Sequence, residues 1–298
     1  MVTTETAPVL QLAAARRYGT QSPLRYPGGK AALAGIFADI ITDLGLVDPT
    51  YVEPYAGGAG AGVALLREGI VSRLVINDID PAVHAFWKAV RDENVRFVER
   101  VKSVPLDVAE WRNQRHTYRT KTTDSFELGF AFFYLNRTNR SGVLNAGVIG
   151  GQQQTGNYKI DARFNRDTLT ERLTAIGALA DRVEVSALDG RSVIRAHQCS
   201  LSTFMYIDPP YVRAGSDLYL NAFDGRDHHA LAEVITSVEK AHWLLTYDVN
   251  AMVERLYADH FQCSLALNYS ARHPGAASEL LVASAGVAQV IRARLNSA

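Results

Sequence analysis

The stretch YVEPYAGGAGAG, residues 51–62, decides how the first half of this chain folds. Its first four residues are typical of a short strand, the glycine-rich part of a loop, and the following VALLREGI (63–70) of a helix. A second strand, RLVINDID (73–80), leads into a helix that has Pro81 in its first turn. This order predicts a βαβ unit in a parallel sheet.

Strand-like runs return after residue 182 and extend the same pattern. They are VEVSALD (183–189), FMYIDPP (204–210), WLLTYD (243–248), FQCSLALNYSARH (261–273) and SELLVASAG (278–286). Apolar spacing predicts helices over 31–46 and 227–240. We expect the last two strands to pair with each other through a loop, as an antiparallel hairpin at the end of the sheet.

The pattern changes between residues 93 and 172, where basic and aromatic residues are interleaved and the stretch 145–157 is rich in Gly and Gln. We interpret 93–172 as one insertion into an α/β core formed by 22–92 and 173–298. Residues 1–21, rich in Thr, Ala and Gln, are predicted to be a loosely ordered lead-in.

Composition argues against a disordered chain, a strongly basic chain and a membrane-spanning chain. The 298 residues are 47% hydrophobic and 21% charged, which is typical of a globular chain, and the net charge is +0. Any nucleic acid must therefore meet a local basic surface, and Trp111–Arg172 supplies one, with ten Lys and Arg against five Asp and Glu. Cys199 and Cys263 lack metal-ligand spacing, so we expect no metal site and a reducing cytoplasm. No signal peptide or membrane span is evident.

The glycine loop and the acid at the end of the next strand predict a nucleoside-containing cofactor. Glycines let the backbone approach a ligand, and Asp78, about twenty residues further on, can accept hydrogen bonds from a ribose diol. We favour Asp78 over Asp80, which precedes Pro81 as a helix N-cap would. The loop lacks the lysine of a phosphate-binding P-loop, so ATP hydrolysis is disfavoured.

The motif YIDPPY, residues 206–211, places a carboxylate and an aromatic ring around a rigid turn at the end of a strand. Pro209 and Pro210 fix φ and remove backbone donors, which leaves the turn with carbonyl acceptors. Asp208 and one such carbonyl can hold both N–H donors of an exocyclic amine, and Tyr211 can stack on a planar base. The sequence therefore predicts a site that positions an amine.

These motifs together resemble the Dam-like (D12 class) S-adenosylmethionine-dependent DNA adenine-N6 methyltransferases, over about residues 22–285. The resemblance rests on SPLRYPGGK (22–30), EPYAGGAGAG (53–62), VINDIDPAVHAFWKAV (75–90), FFYLNRTNRSGVLN (132–145), SALDGRSVI (186–194), YIDPPY, YLNAF (219–223) and HHALAEVI (228–235). It implies an α/β, Rossmann-like class I methyltransferase core with a mainly helical DNA-recognition insertion. It also implies a protein, bacterial or phage-encoded, that acts on double-stranded DNA, alone or alongside a cognate restriction endonuclease.

The resemblance also implies roles for individual residues. The catalytic motif would comprise Asp208, Pro209, Pro210 and Tyr211. The cofactor would be bound by Tyr26, Gly29, Lys30, Glu53, Pro54, Gly57, Asp78, Ile79, Asp189 and Asp208. Within this set, Asp78 would bind the ribose, Asp189 the adenine amino group, and Glu53 and Gly57 would border the methionine portion.

The target adenine must leave the duplex to reach such a pocket, so the insertion is expected to contact DNA. The candidate DNA-binding residues are Arg119, Asn136, Arg137, Asn139 and Arg140, with Tyr118 a weaker one. The stretch TNRSGVLN departs from the aromatic-Asn-Gly pattern common in the family, so the target site is not taken to be GATC.

Other functions remain open at the level of sequence. Methylation of cytosine N4 in DNA, or of adenine N6 in RNA, is the main alternative; protein-glutamine enzymes usually carry Asn where this chain has Asp208. A nicotinamide oxidoreductase would use the same loop and acid but leaves the Pro-Pro turn unexplained. A catalytically silent DNA-binding protein is disfavoured by the intact Asp208 and Tyr211.

Overall fold

An eight-stranded sheet forms the centre of the molecule. The computed structural model describes residues 9–11, 17–25, 30–120, 122–212, 223–267 and 277–296. The strands are β1 (Val9–Gln11), β2 (Thr50–Glu53), β3 (Arg73–Asn77), β4 (Val183–Ser186), β5 (Thr203–Ile207), β6 (His242–Asp248), β7 (Phe261–Leu267) and β8 (Ala277–Ala283). Their order is β1-β7-β8-β6-β5-β2-β3-β4. Pairing is parallel except that β8 runs antiparallel to β6 and β7. The expected α/β core with a C-terminal antiparallel hairpin is therefore confirmed.

The strand order changes direction between β2 and β5. From β2 the chain moves outward to β3 and then β4, and it returns to β5 on the other side of β2. In open α/β sheets, ligands bind beyond the carboxyl ends of strands at such a reversal. Glu53 ends β2 and Asp208 follows Ile207 at the end of β5, so both carboxyl groups lie at this edge.

Eleven α-helices surround the sheet in the described part of the chain. They are α1 (Ala34–Asp43), α2 (Gly60–Arg67), α3 (Pro81–Asp92), α4 (Asn94–Ser103), α5 (Val108–Arg119), α6 (Ser125–Thr138), α7 (Arg166–Gly177), α8 (Gly190–His197), α9 (Gly225–Thr236), α10 (Ala251–Leu256) and α11 (Ala285–Asn296). The helix predicted over 31–46 begins as a 3₁₀ turn at Lys30–Leu33 and continues as α1. The sequence pattern did not predict α8, α10 or α11. The strand β1 lies within residues 1–21, so the expectation of a loosely ordered lead-in was wrong for Val9–Gln11, which pair with β7. Every described helix is too short or too polar to cross a lipid bilayer.

The insertion is helical and packs into the same hydrophobic cluster as the sheet. It contains α4, α5, α6 and the start of α7, and most residues of α6 are buried. The rings of Phe86 on α3 and Phe133 on α6 are stacked, with centroids 5.8 Å apart. A helix that is apolar around its whole circumference is buried on all sides. Because α7 is one continuous helix across residue 172, we propose that the insertion ends at Gly177 rather than at 172.

Gly129 allows α6 to approach α3 closely. A Cβ built on Gly129 would lie 2.5 Å from the carbonyl oxygen of Ala85 and 2.6 Å from the nitrogen of Phe86. Both contacts are with backbone, so a side chain there forces the two helices apart rather than moving a flexible neighbour. The close contact therefore requires glycine at this position.

We expect Gly129→Ala to lower the free energy of unfolding by about 2 kcal/mol, because overpacking outweighs the better helix propensity of alanine. Urea unfolding followed by circular dichroism measures this change. Gly225→Ala is the matched control, since nothing lies within 4 Å of its added Cβ in the first turn of α9. The control should be neutral or slightly stabilising, and equal effects for the two variants would contradict the close contact.

Candidate active site

Asp208 is held by three side chains at the turn after β5. Its Oδ1 accepts a hydrogen bond from Thr246 Oγ1 at 2.9 Å and lies 3.1 Å from the Tyr211 hydroxyl. Lys30 Nζ lies 3.1 Å from Asp208 Oδ2 and 3.3 Å from Oδ1. Tyr206, inside β5, hydrogen-bonds Thr246 at 2.7 Å and so supports the same network from below. The carboxylate is therefore fixed in position.

The ammonium of Lys30 joins Asp208 to a second carboxylate, Glu279 on β8. Its Nζ lies 3.3 Å from Glu279 Oε1, and it donates to the Tyr211 hydroxyl at 2.6 Å. The Lys30 and Glu279 side chains are only 6% and 5% exposed. Burial acts to lower the pKa of Lys30, but attraction to Asp208 and Glu279 outweighs it and raises that pKa overall. Lys30 therefore remains charged between two acids.

The end of β6 supports the catalytic motif at three successive positions. Thr246 reaches Asp208, as described above, and the rings of Tyr247 and Tyr211 lie 6.4 Å apart. Asp248 accepts a hydrogen bond from the backbone N–H of Val212 at 3.0 Å. The motif therefore rests on a rigid strand rather than on a free loop.

Asp78 organises the glycine loop. Its Oδ2 accepts from the N–H of Gly57 at 2.8 Å and its Oδ1 from the N–H of Asp80 at 2.9 Å. Gly57 has φ of 47°, a conformation that favours glycine. Burial raises the pKa of Asp78 to about 6, although the two N–H donors act in the opposite direction. Asp80 caps α3 by accepting from Ala82, as expected.

Glu53 is a buried acid at the end of β2. Its Oε1 accepts from the N–H of Gly62 at 3.0 Å, and the residue is 4% exposed. Burial raises the pKa of Glu53 to about 8. The carboxyl group is therefore mostly protonated at neutral pH and would ionise if a cation came to lie beside it.

Asn77, which sequence analysis did not select, ties together the loops around this edge. Its Nδ2 donates to the carbonyls of Pro54 and Leu188 at 2.8 and 2.9 Å. Its Oδ1 accepts from Ser186 Oγ at 2.7 Å and from the N–H of Leu188 at 2.8 Å. One buried amide therefore fixes the ends of three neighbouring strands, and a lone Asn closing the apolar run RLVIN was the only sign of it.

Asp189 and Ile79 lie on the two loops beside Asn77. Asp189 caps α8 and pairs with Arg191, whose Nη2 lies 2.6 Å from Oδ2. Its hydrogen bond with Arg191 holds the pKa of Asp189 below its ordinary value. Ile79 is apolar but 47% exposed. Tyr26 and Gly29, also selected from the sequence, lie outside the described residues.

Two of the asparagines expected to contact DNA are structural instead. Asn136 is 2% exposed; its Oδ1 accepts from the N–H of Arg25 at 2.8 Å and its Nδ2 donates to the carbonyl of Arg25 at 2.7 Å. Asn139 is fully buried; its Oδ1 accepts from Trp111 Nε1 at 2.7 Å and its Nδ2 donates to the carbonyl of Val143 at 3.0 Å. Neither amide is free to read a base, so we withdraw both as DNA contacts.

The arginines expected at the DNA surface lie in different environments. Arg119 and Arg140 are exposed, at the end of α5 and just after α6. Arg137 is half-buried on α6, and Tyr118 is partly buried against the hydrophobic cluster. Arg119 and Arg140 are therefore accessible to a ligand without any movement of the helices.

Thr246 and Glu279 are, besides Asn77, site residues that the sequence did not reveal. Each is a single polar residue inside an apolar run, WLLTYD and SELLVASAG respectively. A buried hydroxyl or acid in such a run needs a polar partner. That signal indicated that a partner existed, but only the fold shows that the partners are Asp208, Lys30 and Tyr211.

Comparisons with known proteins agree with this geometry. A family model described as D12 class N6 adenine-specific DNA methyltransferase matches residues 26–268, which is most of the chain. The protein named Type II methyltransferase M.MjaIII, from Methanocaldococcus jannaschii, is 24% identical over 173 residues. That alignment covers 54% of this chain and 58% of the relative, so the chain spans little more than half of the relative's length.

We expect the buried Glu53 to make stability fall as pH rises. The unfolded carboxyl ionises near pH 4.3, but in the fold its pKa is about 8, so unfolding releases a proton between these values. Relative to Glu53→Gln, the wild type should lose up to about 1.4 kcal/mol per pH unit across this window. Urea unfolding from pH 5 to 8.5 tests this, because Asp78 contributes equally to both proteins. A pH-independent difference would contradict it.

Proposed function

Because this chain belongs to the D12 class of N6 adenine-specific DNA methyltransferases, we propose that it transfers a methyl group from S-adenosylmethionine to N6 of a flipped-out adenine in double-stranded DNA. The observation that carries the proposal is the fixed carboxylate of Asp208 in the Pro-Pro turn, at the strand-order reversal where α/β sheets bind ligands. Bound S-adenosylmethionine supplies an electrophilic methyl group.

The turn after β5 would orient the target amine. Asp208 and a carbonyl of the Pro209-Pro210 turn accept its two N–H donors, which directs the nitrogen lone pair away from the turn. Tyr211 stacks on the base while its hydroxyl remains tied to Lys30, 2.6 Å away. Thr246 holds Asp208 Oδ1, so Oδ2 is the oxygen that receives the amine hydrogen. These interactions work by position and electrostatics.

The contact between Lys30 and Asp208 must break before Asp208 can accept a hydrogen bond from the amine. In the structure its ammonium lies 3.1 Å from Asp208 Oδ2, the oxygen that the amine would use. Glu279 lies 3.3 Å away on the other side and offers an alternative carboxylate. We propose that Lys30 stays on Glu279 and Tyr211 when the amine enters. Glu279 is thus a positioning residue for Lys30.

The residues at the ends of β2, β3 and β4 fit the cofactor. Glu53 is a buried acid that would ionise beside the methionine ammonium, next to Pro54 and the Gly57 backbone. Asp78 offers carboxylate oxygens to a ribose diol. Ile79 and Leu188 are exposed apolar residues, 47% and 54%. Each lies two residues beyond the pair Asn77 and Ser186, which face each other in adjacent strands. Ile79 and Leu188 would therefore contact opposite faces of an adenine ring.

Asp189 would accept from the adenine amino group on release from Arg191, with which it pairs at 2.6 Å. The insertion, with exposed Arg119 and Arg140 and half-buried Arg137, would contact phosphates and groove edges of the duplex. Binding energy from those contacts would offset the unstacking of the flipped adenine. A cognate restriction endonuclease of the same system would not need to touch this chain.

We expect Asp208→Ala to abolish methylation, by about a thousandfold or more, while cofactor binding is largely retained. Unmodified plasmid DNA is incubated with the protein and S-adenosylmethionine, and modified bases are identified by long-read sequencing. Asp259→Ala, which removes an exposed acid away from the site, is the control. N6-methyladenine at one short motif with wild type and control supports the function. Detection of N4-methylcytosine, or of methylation in RNA alone, would contradict adenine in DNA as the substrate and identify cytosine or RNA in its place.

We expect Glu279→Gln to lower kcat about 10- to 100-fold, because Lys30 then has Asp208 as its only carboxylate and competes with the amine. Affinity for S-adenosylmethionine, measured by calorimetry, should be unchanged. Glu184→Gln, an exposed acid on β4, is the control. A Glu279→Gln enzyme with normal kcat would show that Lys30 does not need a second acid.

A further inference from the structure

An open cavity of about 560 Å³ lies beside the end of α6, away from the Asp208 network. Its lining residues include Arg137, Asp161, Arg163, Asn165 and Arg166. Arg166 is already bonded to the carbonyls of Val101 and Val104. The other two lining arginines, Arg137 and Arg163, form no such hydrogen bonds with described residues, so they are available to a ligand in the cavity.

Arg137 is a largely covered cation without a counter-ion. Its Nε has no accessible surface and no hydrogen-bond partner, and its side chain makes no ion pair with any described residue. Burial lowers the pKa of Arg137 to about 9, and the nearby charges of Arg25, Arg172 and Arg163 add to that effect. An uncompensated charge in such a position destabilises the fold. Its presence therefore points to an anionic ligand.

The three neighbouring arginines also keep most of their donors available. Among the described residues, Arg25 Nη1 reaches only the carbonyl of Asn139, at 3.4 Å, and Arg172 Nη1 only that of Ser22, at 3.2 Å. Each guanidinium has five N–H donors, so one carbonyl leaves most of them available. Burial lowers the pKa of both side chains, with a further lowering by the charge of Arg163 at Arg25 and of Arg67 at Arg172. Arg163 is exposed at the cavity mouth.

The acids near this cluster form no ion pair with its arginines in the described part of the chain. Asp161 lines the cavity but is exposed and forms no ion pair with a described arginine. Glu171 forms its ion pair with Arg67, 2.8 Å away, although its charge also acts to raise the pKa of the adjacent Arg172. Arg137 and Arg163 line the cavity, and the charges of Arg25 and Arg172 lie near enough to Arg137 to lower its pKa. Guanidinium groups bind phosphate oxygens in bidentate fashion, so phosphate is the anion that this set of donors suits.

We propose that Arg25, Arg137, Arg163 and Arg172 form a phosphate-binding site, the arginine cradle, and that a backbone phosphate of DNA occupies it. The cavity is open to solvent, as a polymer requires, and it belongs to the basic insertion. The assignment of the phosphate to DNA rests on the proposed function. The existence of a phosphate site does not.

Hydrogen bonds join two of the segments that carry the cradle. Asn136 makes two hydrogen bonds with the backbone of Arg25, at 2.8 and 2.7 Å, and Arg137 follows it on α6. Arg25 lies only five residues before Lys30, which contacts Asp208. A phosphate held in the cradle would therefore be fixed against α6 and the segment that ends at Arg25.

The first test measures the melting temperature of the full chain without cofactor or DNA, in low-salt buffer, with and without inorganic phosphate. Phosphate should raise the melting temperature of the wild type and of Arg73→Met, whose arginine is exposed at the start of β3. It should not raise that of Arg137→Met, which keeps an apolar stem of similar length. Without phosphate, Arg137→Met should melt at or above the wild-type temperature, since an unpaired charge is gone.

The second test measures binding of a fluorescent duplex at several salt concentrations. Arg137→Met should reduce the slope of log affinity against log salt by about 1, the loss of one phosphate contact, while Arg73→Met should leave it unchanged. Phosphate protection together with an unchanged slope would overturn the assignment to DNA in favour of a free phosphate. Equal phosphate responses of wild type and Arg137→Met would overturn the cradle itself. Both tests measure binding rather than methylation. The first can therefore support the phosphate site even if the protein proves not to methylate DNA.

Discussion

The buried ammonium of Lys30 is the interaction on which the arrangement of the site depends. It links the segment before α1, the turn after β5 and the strand β8, which are far apart along the chain. Two acids, Asp208 and Glu279, face one cation, so loss of Lys30 leaves two carboxylates without this shared counter-ion, whereas loss of either acid leaves a single ion pair. The geometry that could hold an amine therefore depends on a charge balance set by distant residues.

Sequence patterns were sufficient for the scaffold because the scaffold depends on local spacing. The strand before the glycine loop and the acid-ended strand from residue 73 are confirmed at nearly the expected bounds, whereas the helix expected over 63–70 is Gly60–Arg67, three residues earlier. Asp80 is found as the N-cap that the following proline suggested. Parallel strands must present their carboxyl ends at one edge, so the proximity of Glu53, Asp78 and Asp208 to that edge followed from topology alone.

Residues whose partners lie far away in sequence could not be assigned in this way. Thr246 and Glu279 contact the catalytic motif from other strands, and no spacing rule connects residue 279 to residue 30. Asn136 and Asn139 were misinterpreted for the same reason. Their amides complete hydrogen bonds with backbone and indole groups that the sequence does not place beside them. A polar residue after an aromatic run is equally compatible with a surface contact or a buried clamp.

The position of β8 has a consequence for how the protein is made. This strand lies between β6 and β7, although it is synthesised after both. The gap in the sheet is therefore filled late, and Glu279 reaches Lys30 only after about 250 further residues have been translated. Until then Lys30 and Asp208 lack their third charged partner. Because long-range contacts form slowly, assembly of the charge network should coincide with the end of folding, so a partly made chain would lack a complete site.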